Sequence, residues 1–362
     1  MNLILVGGFL GSGKTTGIVA ACQALTSQGK TVAVVTNDQG DQQVDYAYVK
    51  SLGIAGEEVS NGCFCCNYEQ LDQHIQAFAR TTAPDFIFAE AVGSCTDLLA
   101  TVVRPLRKFN PDIRVTLCVF ADAELLTAIL EGNAAFISES VRYIYRKQLE
   151  EATILIISKV DKVSSAQLKQ LKQLLTGEYR QKLLLFQNSL DAESLTPWLN
   201  VLRTYEAADL PSPAVDYEIY GRGESEMAWV DKALVVTAVQ NEAVVIARIL
   251  IGRIFDQLQQ KRMFIGHLKF HLESKDGNQK ISFTTAATSS SVRLMLPDTN
   301  KISILINARV QSAPTELLGI INEVIVGMET RFACRIEEGR TAAFAPGFPR
   351  PSYRMEYQDT QS

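Results

Sequence analysis

The hydrophobic pattern of the first 204 residues alternates between two kinds of segment. Short runs of apolar, β-branched residues are separated by longer segments whose apolar residues recur at helical spacing. The short runs predict strands at residues 2–6, 31–36, 85–89, 114–120, 153–158 and 182–187. The longer segments predict helices that include residues 14–27, 71–80 and 164–176. Nearly continuous apolar strands between helices are typical of an α/β fold, a mainly parallel sheet with helices on both faces.

The alternation of apolar runs and helical segments ends after Arg203, and the composition of residues 205–230 predicts an acidic linker. A partner surface is the alternative for this stretch. Farther on, strands are predicted at 233–239, 267–272, 280–285, 292–296 and 301–308, and helices at 242–260 and 315–330. This order predicts a smaller C-terminal α+β domain with a largely antiparallel sheet. We therefore expect a first domain at 1–204, a linker at 205–230, a second domain at 231–340 and an extended, proline-containing tail at 341–362. We expect the tail to dock on another surface rather than to pack alone.

Composition and charge exclude several classes of protein for this chain. Of the 362 residues, 47% are hydrophobic and 21% charged, which is enough apolar material for folded domains. The net charge of −5 argues against a nonspecific nucleic-acid partner. Because no apolar run reaches the ~18 residues of a membrane span and the N-terminus lacks the pattern of a signal peptide, we expect a cytoplasmic protein without membrane contact. Its cysteines would then stay reduced.

A phosphate-binding loop follows the first predicted strand. The segment from Gly8 to Thr15 fits G-x-x-x-x-G-K-[ST] at every fixed position and opens a predicted helix. Backbone N–H groups of such a loop surround phosphate oxygens, the lysine meets the β- and γ-phosphates, and the hydroxyl binds Mg²⁺. The predicted nucleotide-binding residues here are Gly8, Gly11, Ser12, Gly13, Lys14, Thr15 and Thr16.

An acidic residue at the end of a later strand supplies the second half of this site. Glu90 follows the apolar run 86–89, where P-loop proteins carry the carboxylate that orients Mg²⁺. Gly93 lies three residues later and could sense the γ-phosphate through its N–H. We expect Lys14, Glu90 and Gly93 to act in catalysis and Thr15 and Glu90 to hold Mg²⁺.

The segment Ser158-Lys159-Val160-Asp161 predicts the nucleotide base. Asp161 could accept hydrogen bonds from guanine N1 and N2, and the stem of Lys159 could lie over the base. The alternative is a capped turn that leads into the next helix. Asn188, which follows the next strand, is expected near the edge of the base.

Three cysteines lie within the four-residue segment Cys63-Phe64-Cys65-Cys66. Thiolates at this density are typical of a site for Zn²⁺ or a similar ion, and Gly62 allows the bend that would bring them together. Since Zn²⁺ takes four ligands, three thiolates leave one coordination position open. Water, His74, a second copy of the chain, a client or a nearby acid could fill this position. The nearby acids are Asp38, Asp41, Asp45, Glu57 and Glu58. A redox pair of Cys63 and Cys66, and buried inert thiols, are the alternatives.

Four more cysteines and two histidines stand apart from this cluster. The isolated cysteines, Cys22, Cys95, Cys118 and Cys334, are expected in the core. His267 and His271 would share one side of a strand. We interpret them as part of a partly exposed sheet face rather than a second metal site.

Taken together, these motifs resemble the CobW/HypB/UreG family of P-loop GTPases and, within it, the CobW-like branch. The Asn-Gly-Cys-Phe-Cys-Cys segment is the most discriminating match, and Ser158 stands where the family has Asn in N-K-x-D. The resembling segments are Gly8–Thr15, Asn37-Asp38-Gln39-Gly40, Asn61-Gly62-Cys63-Phe64-Cys65-Cys66, Glu90-Ala91-Val92-Gly93 and Ser158-Lys159-Val160-Asp161.

The resemblance implies a SIMIBI-type P-loop fold and a slow GTPase that uses GTP and Mg²⁺. It also implies delivery of Zn²⁺ or Co²⁺ to a client metalloprotein or corrinoid-pathway protein, and a homodimer. Residues 37–45 and 93–97 would respond to the γ-phosphate and so connect the nucleotide to the cysteines. A P-loop phosphotransferase acting on a small molecule and a non-hydrolysing, nucleotide-gated binding protein are the alternative functions.

Overall fold

Strands and helices alternate through most of the chain, as its computed structural model shows for residues 1–40, 43–205, 210–285 and 292–357. The strands are β1 (Asn2–Gly8), β2 (Val32–Asn37), β3 (Ala55–Val59), β4 (Phe86–Glu90), β5 (Arg114–Asp122), β6 (Ile154–Ser158), β7 (Leu183–Gln187), β8 (Met227–Ala238), β9 (Ile265–Ser274), β10 (Gly277–Phe283), β11 (Lys301–Gln311) and β12 (Cys334–Phe344). The helices are α1 (Lys14–Ser27), α2 (Val44–Ser51), α3 (Tyr68–Thr81), α4 (Arg104–Phe109), α5 (Ala123–Leu130), α6 (Glu139–Glu151), α7 (Ser165–Glu178), α8 (Ala192–Thr204), α9 (Tyr217–Ser225), α10 (Ala243–Gln260) and α11 (Pro314–Glu329), and a π-helical turn at Leu99–Val103 precedes α4.

Strands β1 to β7 form the predicted parallel sheet. Their order is β3-β2-β4-β1-β5-β6-β7, and each neighbouring pair is parallel. The central strands β1, β4 and β6 are apolar and buried, which explains why their sequences carry almost no polar alternation. In such a sheet the loops that follow the strands meet at one edge, and this edge carries the predicted site residues.

Strands β8 to β12 form a second, antiparallel sheet with the order β10-β9-β11-β8-β12. Helices α10 and α11 pack on it, and their apolar residues share one core with those of the sheet. The α/β fold and the smaller antiparallel α+β domain predicted from the sequence are confirmed.

Two compact units result, with boundaries that differ from the sequence-based ones. The first contains Met1–Gln39, Gly53–Gly221 and the described residues from Phe348 onward, and the second contains the rest of the described chain. Helix α2 belongs to the second unit, because the Val44 N–H donates to Asn307 Oδ1 at 2.8 Å and Asp45 is paired with Lys269 and with Lys280. Because these partners lie far along the chain from α2, the local sequence pattern does not indicate this placement.

Three predicted elements differ from the structure. The predicted linker contains α9, whose first turn is held by Asp216 Oδ1 accepting from the N–H groups of Glu218 and Ile219. The segment 292–296 is not a strand, because the Gln279 side chain bonds the backbone on both sides of Leu294. Strand β8 starts at Met227, ahead of the predicted 233, because its polar Asp231 is buried against Arg309.

Two histidines expected on a partly exposed face are in fact buried. His267 and His271 both lie on β9 and are 5% and 6% exposed. Burial lowers the pKa of His271. No helix in the described part of the chain has the length and apolar character needed to cross a membrane.

Candidate nucleotide and metal site

The loop between β1 and α1 has the geometry of a phosphate cradle. Gly13 directly precedes α1 and has φ at 88°, and a Cβ at Gly8 would lie 2.2 Å from the carbonyl oxygen of Phe120, so both positions require glycine. Lys14 Nζ donates to the carbonyl oxygens of Gly8 and Phe9 at 2.7 and 3.2 Å. The ammonium group therefore lies over the loop at the start of a helix, where an anion is favoured.

Glu90 and Gly93 both reach this loop. Thr15 Oγ1 donates to Glu90 Oε1 at 2.9 Å, and both residues are 5% exposed. A hydroxyl and a carboxylate in contact provide the oxygen ligands that suit Mg²⁺. A Cβ at Gly93 would lie 2.9 Å from the backbone nitrogen of Leu10, so the segment after β4 packs directly on the phosphate loop. The predicted residues Lys14, Thr15, Glu90 and Gly93 thus come together.

Ser158 retains a contact with the phosphate loop although it replaces the family's Asn. Its Oγ donates to the carbonyl oxygens of Ser12 at 2.6 Å and Ala121 at 3.2 Å. Lys159 has φ at 57° and pairs with Asp122 at 2.6 Å, a partner that the sequence did not indicate. The loop after β6 is therefore fixed both to the phosphate loop and to the end of β5.

The other two base-site candidates lie at the ends of neighbouring strands. The Asp161 side chain is 34% exposed and lies 3.4 Å from Lys162. Asn188 follows β7, and its Oδ1 accepts from the Leu190 N–H at 3.1 Å. Both residues are on the same sheet edge as the phosphate loop, and their contact with a base stays a prediction.

The cysteine segment forms a tight turn between β3 and α3. Gly62 has φ at 149°, and the N–H groups of Cys66 and Asn67 both donate to the Cys63 carbonyl, at 3.0 and 2.9 Å. The Sγ of Cys63 lies 2.9 Å from that of Cys65 and 3.3 Å from that of Cys66, and 3.8 Å separates Cys65 Sγ from Cys66 Sγ. Around a Zn²⁺ ion with 2.3 Å bonds, tetrahedral sulfurs lie roughly 3.8 Å apart, so small side-chain movements would fit the three thiols to the ion.

Asn37, at the end of β2, holds the cysteine turn in place. Its Nδ2 donates to the carbonyl oxygens of Gly62 at 2.7 Å and Val59 at 3.0 Å, and its Oδ1 accepts from the Phe64 N–H at 2.9 Å. One side chain thus satisfies three backbone groups of the turn. The sequence showed Asn37 only as part of a family motif and did not assign it this role.

The thiols polarise one another. Side-chain hydrogen bonds from Cys65, Cys66 and Cys95 hold the pKa of Cys63 well below its usual range. The hydrogen bond to Cys63 raises the pKa of Cys65 and raises that of Cys66 to about 11. A lowered pKa at Cys63 favours the thiolate form, which is the form that binds a soft or borderline cation.

Cys95 is the functional candidate that the sequence-based interpretation missed. It was expected to be an isolated core cysteine, and it is only 1% exposed, but its side chain hydrogen-bonds to Cys63 and to Cys65. Its position two residues after Gly93 was the only signal in the sequence.

None of the described acids and histidines proposed as further ligands joins this cluster. Within the described residues, the metal-type group that lies inside 4.8 Å consists of Cys63, Cys65 and Cys66. Asp45 belongs to the second unit, where it is paired with Lys269 and Lys280, and His74 lies 3.9 Å from Glu57. Asp41 lies outside the described residues. All seven cysteines are free thiols.

The tail, defined here as residues 348–357, lies over the cysteine turn. The Arg350 N–H donates to Cys66 Sγ at 3.3 Å, and the Ser352 N–H donates to the Cys65 carbonyl at 2.8 Å. Farther along, Arg354 Nε donates to Asp97 Oδ2 at 2.9 Å. The tail therefore contacts both the cysteine turn and the segment after Gly93.

The parallel sheet, the glycine-rich loop and its lysine define a P-loop nucleotide-binding protein. The model of the CobW/HypB/UreG nucleotide-binding domain matches residues 2–183, half of the chain. This chain belongs to the CobW/HypB/UreG family.

Individual relatives are more distant. Over 163 residues the chain is 29% identical to the zinc chaperone YeiR of Escherichia coli (strain K12), covering 44% of this chain and 47% of YeiR. Over 208 residues it is 26% identical to the zinc chaperone CobW of Pseudomonas aeruginosa, covering 49% of this chain and 54% of that protein. The chain thus spans about half the length of these curated relatives. HypB from Helicobacter pylori in complex with nickel aligns with 57% of this chain and 89% of its own, at 17% identity and a TM-score of 0.42.

Proposed function

We propose that this chain is a GTP-dependent metallochaperone that binds Zn²⁺ or Co²⁺ as cargo through Cys63, Cys65 and Cys66. The observation that carries the proposal is the meeting of the three sulfurs in the same unit as the phosphate loop. The family membership and the two relatives named as zinc chaperones support it. The client would be a metalloprotein or a corrinoid-pathway protein, and the chain would work in the cytoplasm, without nucleic acid, as a homodimer.

In the proposed function, each residue of the nucleotide site has a role in binding GTP, Mg²⁺ or the base. Lys14 neutralises the β- and γ-phosphates, while Thr15 and Glu90 supply the oxygen ligands for Mg²⁺. Gly93 places a backbone N–H beside the loop, and Asp161 selects guanine with help from Lys159 and Asn188. Hydrolysis would be slow in the isolated chain, because no arginine finger is identified in the sequence.

Metal analysis of the purified full chain tests the proposal, with Cys65→Ser as the variant and Cys334→Ser as the control. We expect about one Zn²⁺ or Co²⁺ per wild-type chain and per control chain. In Cys65→Ser, we expect retention to fall at least about tenfold, since a first ligand is lost. GTP and ATP turnover measured on the same samples should show preference for GTP.

Three results would each contradict a part of the proposal. Equal metal retention by wild type and Cys65→Ser would show that the cysteine turn is not the cargo site. Nucleotide-dependent phosphorylation of a small molecule that is indifferent to Cys65→Ser would favour the phosphotransferase. GTP binding without phosphate release would remove hydrolysis from the account.

A further inference from the structure

The tail, residues 348–357, docks through one of its two sides. The odd-numbered residues from Pro349 to Tyr357 are buried or half-buried, whereas the even-numbered ones from Arg350 to Glu356 are exposed. This alternation is typical of an extended chain, in which successive side chains point to opposite sides. One side of the tail is therefore packed against protein and the other faces solvent.

Two backbone hydrogen bonds join the tail to the cysteine turn itself. The Arg350 N–H donates to Cys66 Sγ at 3.3 Å. Two residues later, the Ser352 N–H donates to the Cys65 carbonyl at 2.8 Å. The Ser352 hydroxyl adds a third bond, to the Cys66 carbonyl at 3.1 Å. The tail thus binds both a candidate ligand sulfur and the backbone that carries it.

The far end of the tail is fixed to the segment after β4 and to the π-helical turn. The Met355 N–H donates to the Ala100 carbonyl, and the Met355 carbonyl accepts from the Arg104 guanidinium, both at 2.9 Å. Arg354 pairs with Asp97, whose side chain is fully buried. All of these residues belong to the first unit, so the tail and its partners lie within one compact body.

The tail lies on the most exposed member of the cysteine cluster. Cys63 and Cys65 are 3% and 1% exposed, whereas Cys66 is only partly buried. Residues 348–354 contain no cysteine, histidine or acid. This part of the tail therefore covers the cluster without bringing one of the usual ligands of zinc.

We infer that the tail acts as a strap over the cargo site, held to Cys66 by the Arg350 N–H, and that it must detach before a metal ion enters or leaves. This inference rests on the proposed function, because the cargo is the ion bound by the same three cysteines. Metal binding converts thiols to thiolates, and a hydrogen bond to a charged acceptor is stronger than one to a neutral acceptor. The tail is therefore held most tightly when the site is loaded, and a client that takes the ion has to displace it.

A proline at position 350 removes the hydrogen bond to the sulfur and little else. Arg350→Pro lacks the backbone N–H, and the segment stays extended because Pro349 and Pro351 already flank this position. Arg350→Ala is the matched control, since it removes the same side chain and retains the N–H.

Zinc loss from the loaded full chain is measured in excess chelator, at concentrations where the rate no longer depends on the chelator. We expect Arg350→Pro to lose zinc at least about threefold faster than wild type and Arg350→Ala, since a hydrogen bond to a charged group changes an equilibrium by roughly this factor or more. Arg354→Ala, which loosens the far end of the tail, should also lose zinc faster than wild type.

A second measurement follows the tail in the absence of metal. Hydrogen exchange at the Ser352 and Met355 amides reports how often the tail detaches, because both amides are bonded to the first unit. Both should exchange faster in metal-free Arg350→Pro and Arg354→Ala than in metal-free wild type. Adding zinc to wild type should slow their exchange. A thermal melt of each metal-free variant checks its folding.

The outcomes separate the tail from the cargo site. Zinc loss at the wild-type rate in both Arg350→Pro and Arg354→Ala, while Cys65→Ser fails to retain zinc, would overturn the inference and leave the proposed function standing. Wild-type amides that exchange equally fast with and without zinc would also overturn it, whichever variants fold. Equal acceleration by Arg350→Ala and Arg350→Pro would contradict the role of the N–H. If Cys65→Ser retains zinc as wild type does, the proposed function fails and the inference fails with it.

Discussion

Glu151 is a buried carboxyl group directly behind the segment that carries Cys95. Its Oε1 accepts from Thr96 Oγ1 at 3.1 Å and its Oε2 accepts from the Leu99 N–H at 3.3 Å. Burial, followed by the nearby charge of Asp97, raises the pKa of Glu151 from 4.5 to about 8. At neutral pH the folded chain therefore keeps a proton that the unfolded chain has lost.

The raised pKa of Glu151 makes the stability of the folded chain depend on pH. Between pH 4.5 and 8 the folded state binds the extra proton, so the contribution of Glu151 to stability falls as pH rises, by up to about 1.4 kcal/mol per pH unit. Glu151→Gln has no such proton, and Thr96 can turn its hydroxyl to accept from the amide. We expect the difference in unfolding free energy, variant minus wild type, to grow from pH 5 to pH 8.

Urea denaturation of the metal-free proteins at several pH values measures this difference. Since other titrating groups are common to both chains, they cancel in the comparison. Unfolding free energies that run parallel between pH 5 and pH 8 would show that Glu151 is charged in the folded chain.

At the scale of elements, the tail replaces solvent over the cysteine turn. The Tyr353 ring packs edge-on against those of Tyr68 and Phe109, with ring centroids 5.1 and 5.3 Å apart. The Arg354 pair with Asp97 fixes the end of the tail, since Asp97 is fully buried. Breaking this pair leaves a buried carboxylate without its cation, which favours release of the tail.

We expect Arg354→Ala to make Cys66 react several-fold faster with a thiol-specific reagent, because the tail would spend more time detached. Peptide mapping of the labelled metal-free chain identifies the cysteine that reacts. Arg350→Ala is the matched control, since Arg350 contacts Cys66 through its backbone N–H, which alanine retains. Equal rates for Arg354→Ala, the control and wild type would show that the tail does not limit access.

The sequence predicted those parts of the fold that rest on local pattern. The local pattern predicts the apolar strands of the parallel sheet and α1 to within about two residues, and the fixed positions of its motif identify the phosphate loop. Cys95 and the tail could not be placed, because their partners are distant in sequence. The same limit applies to Asp231 and Arg309. From the sequence alone, charged residues such as these are expected at the surface, whereas in the folded chain the two are buried and paired with each other.

At the scale of the molecule, one sheet edge carries the phosphate loop, Glu90, Gly93 and the cysteines. The proposed function requires that nucleotide and metal affect each other's affinity within this unit. Binding linkage makes the effect reciprocal, and typical coupling between two sites changes affinity by about 5- to 150-fold.

The most direct test is the zinc affinity of the full wild-type chain, measured by chelator competition with Mg²⁺ and either a non-hydrolysable GTP analogue or GDP. We predict that the two affinities differ by at least about fivefold, and that zinc changes the relative affinity for the two nucleotides by the same factor. In Lys14→Ala, which weakens nucleotide binding, the difference should disappear at the same nucleotide concentrations. Identical zinc affinities with the GTP analogue and with GDP, at saturation of wild type by each nucleotide, would contradict the account.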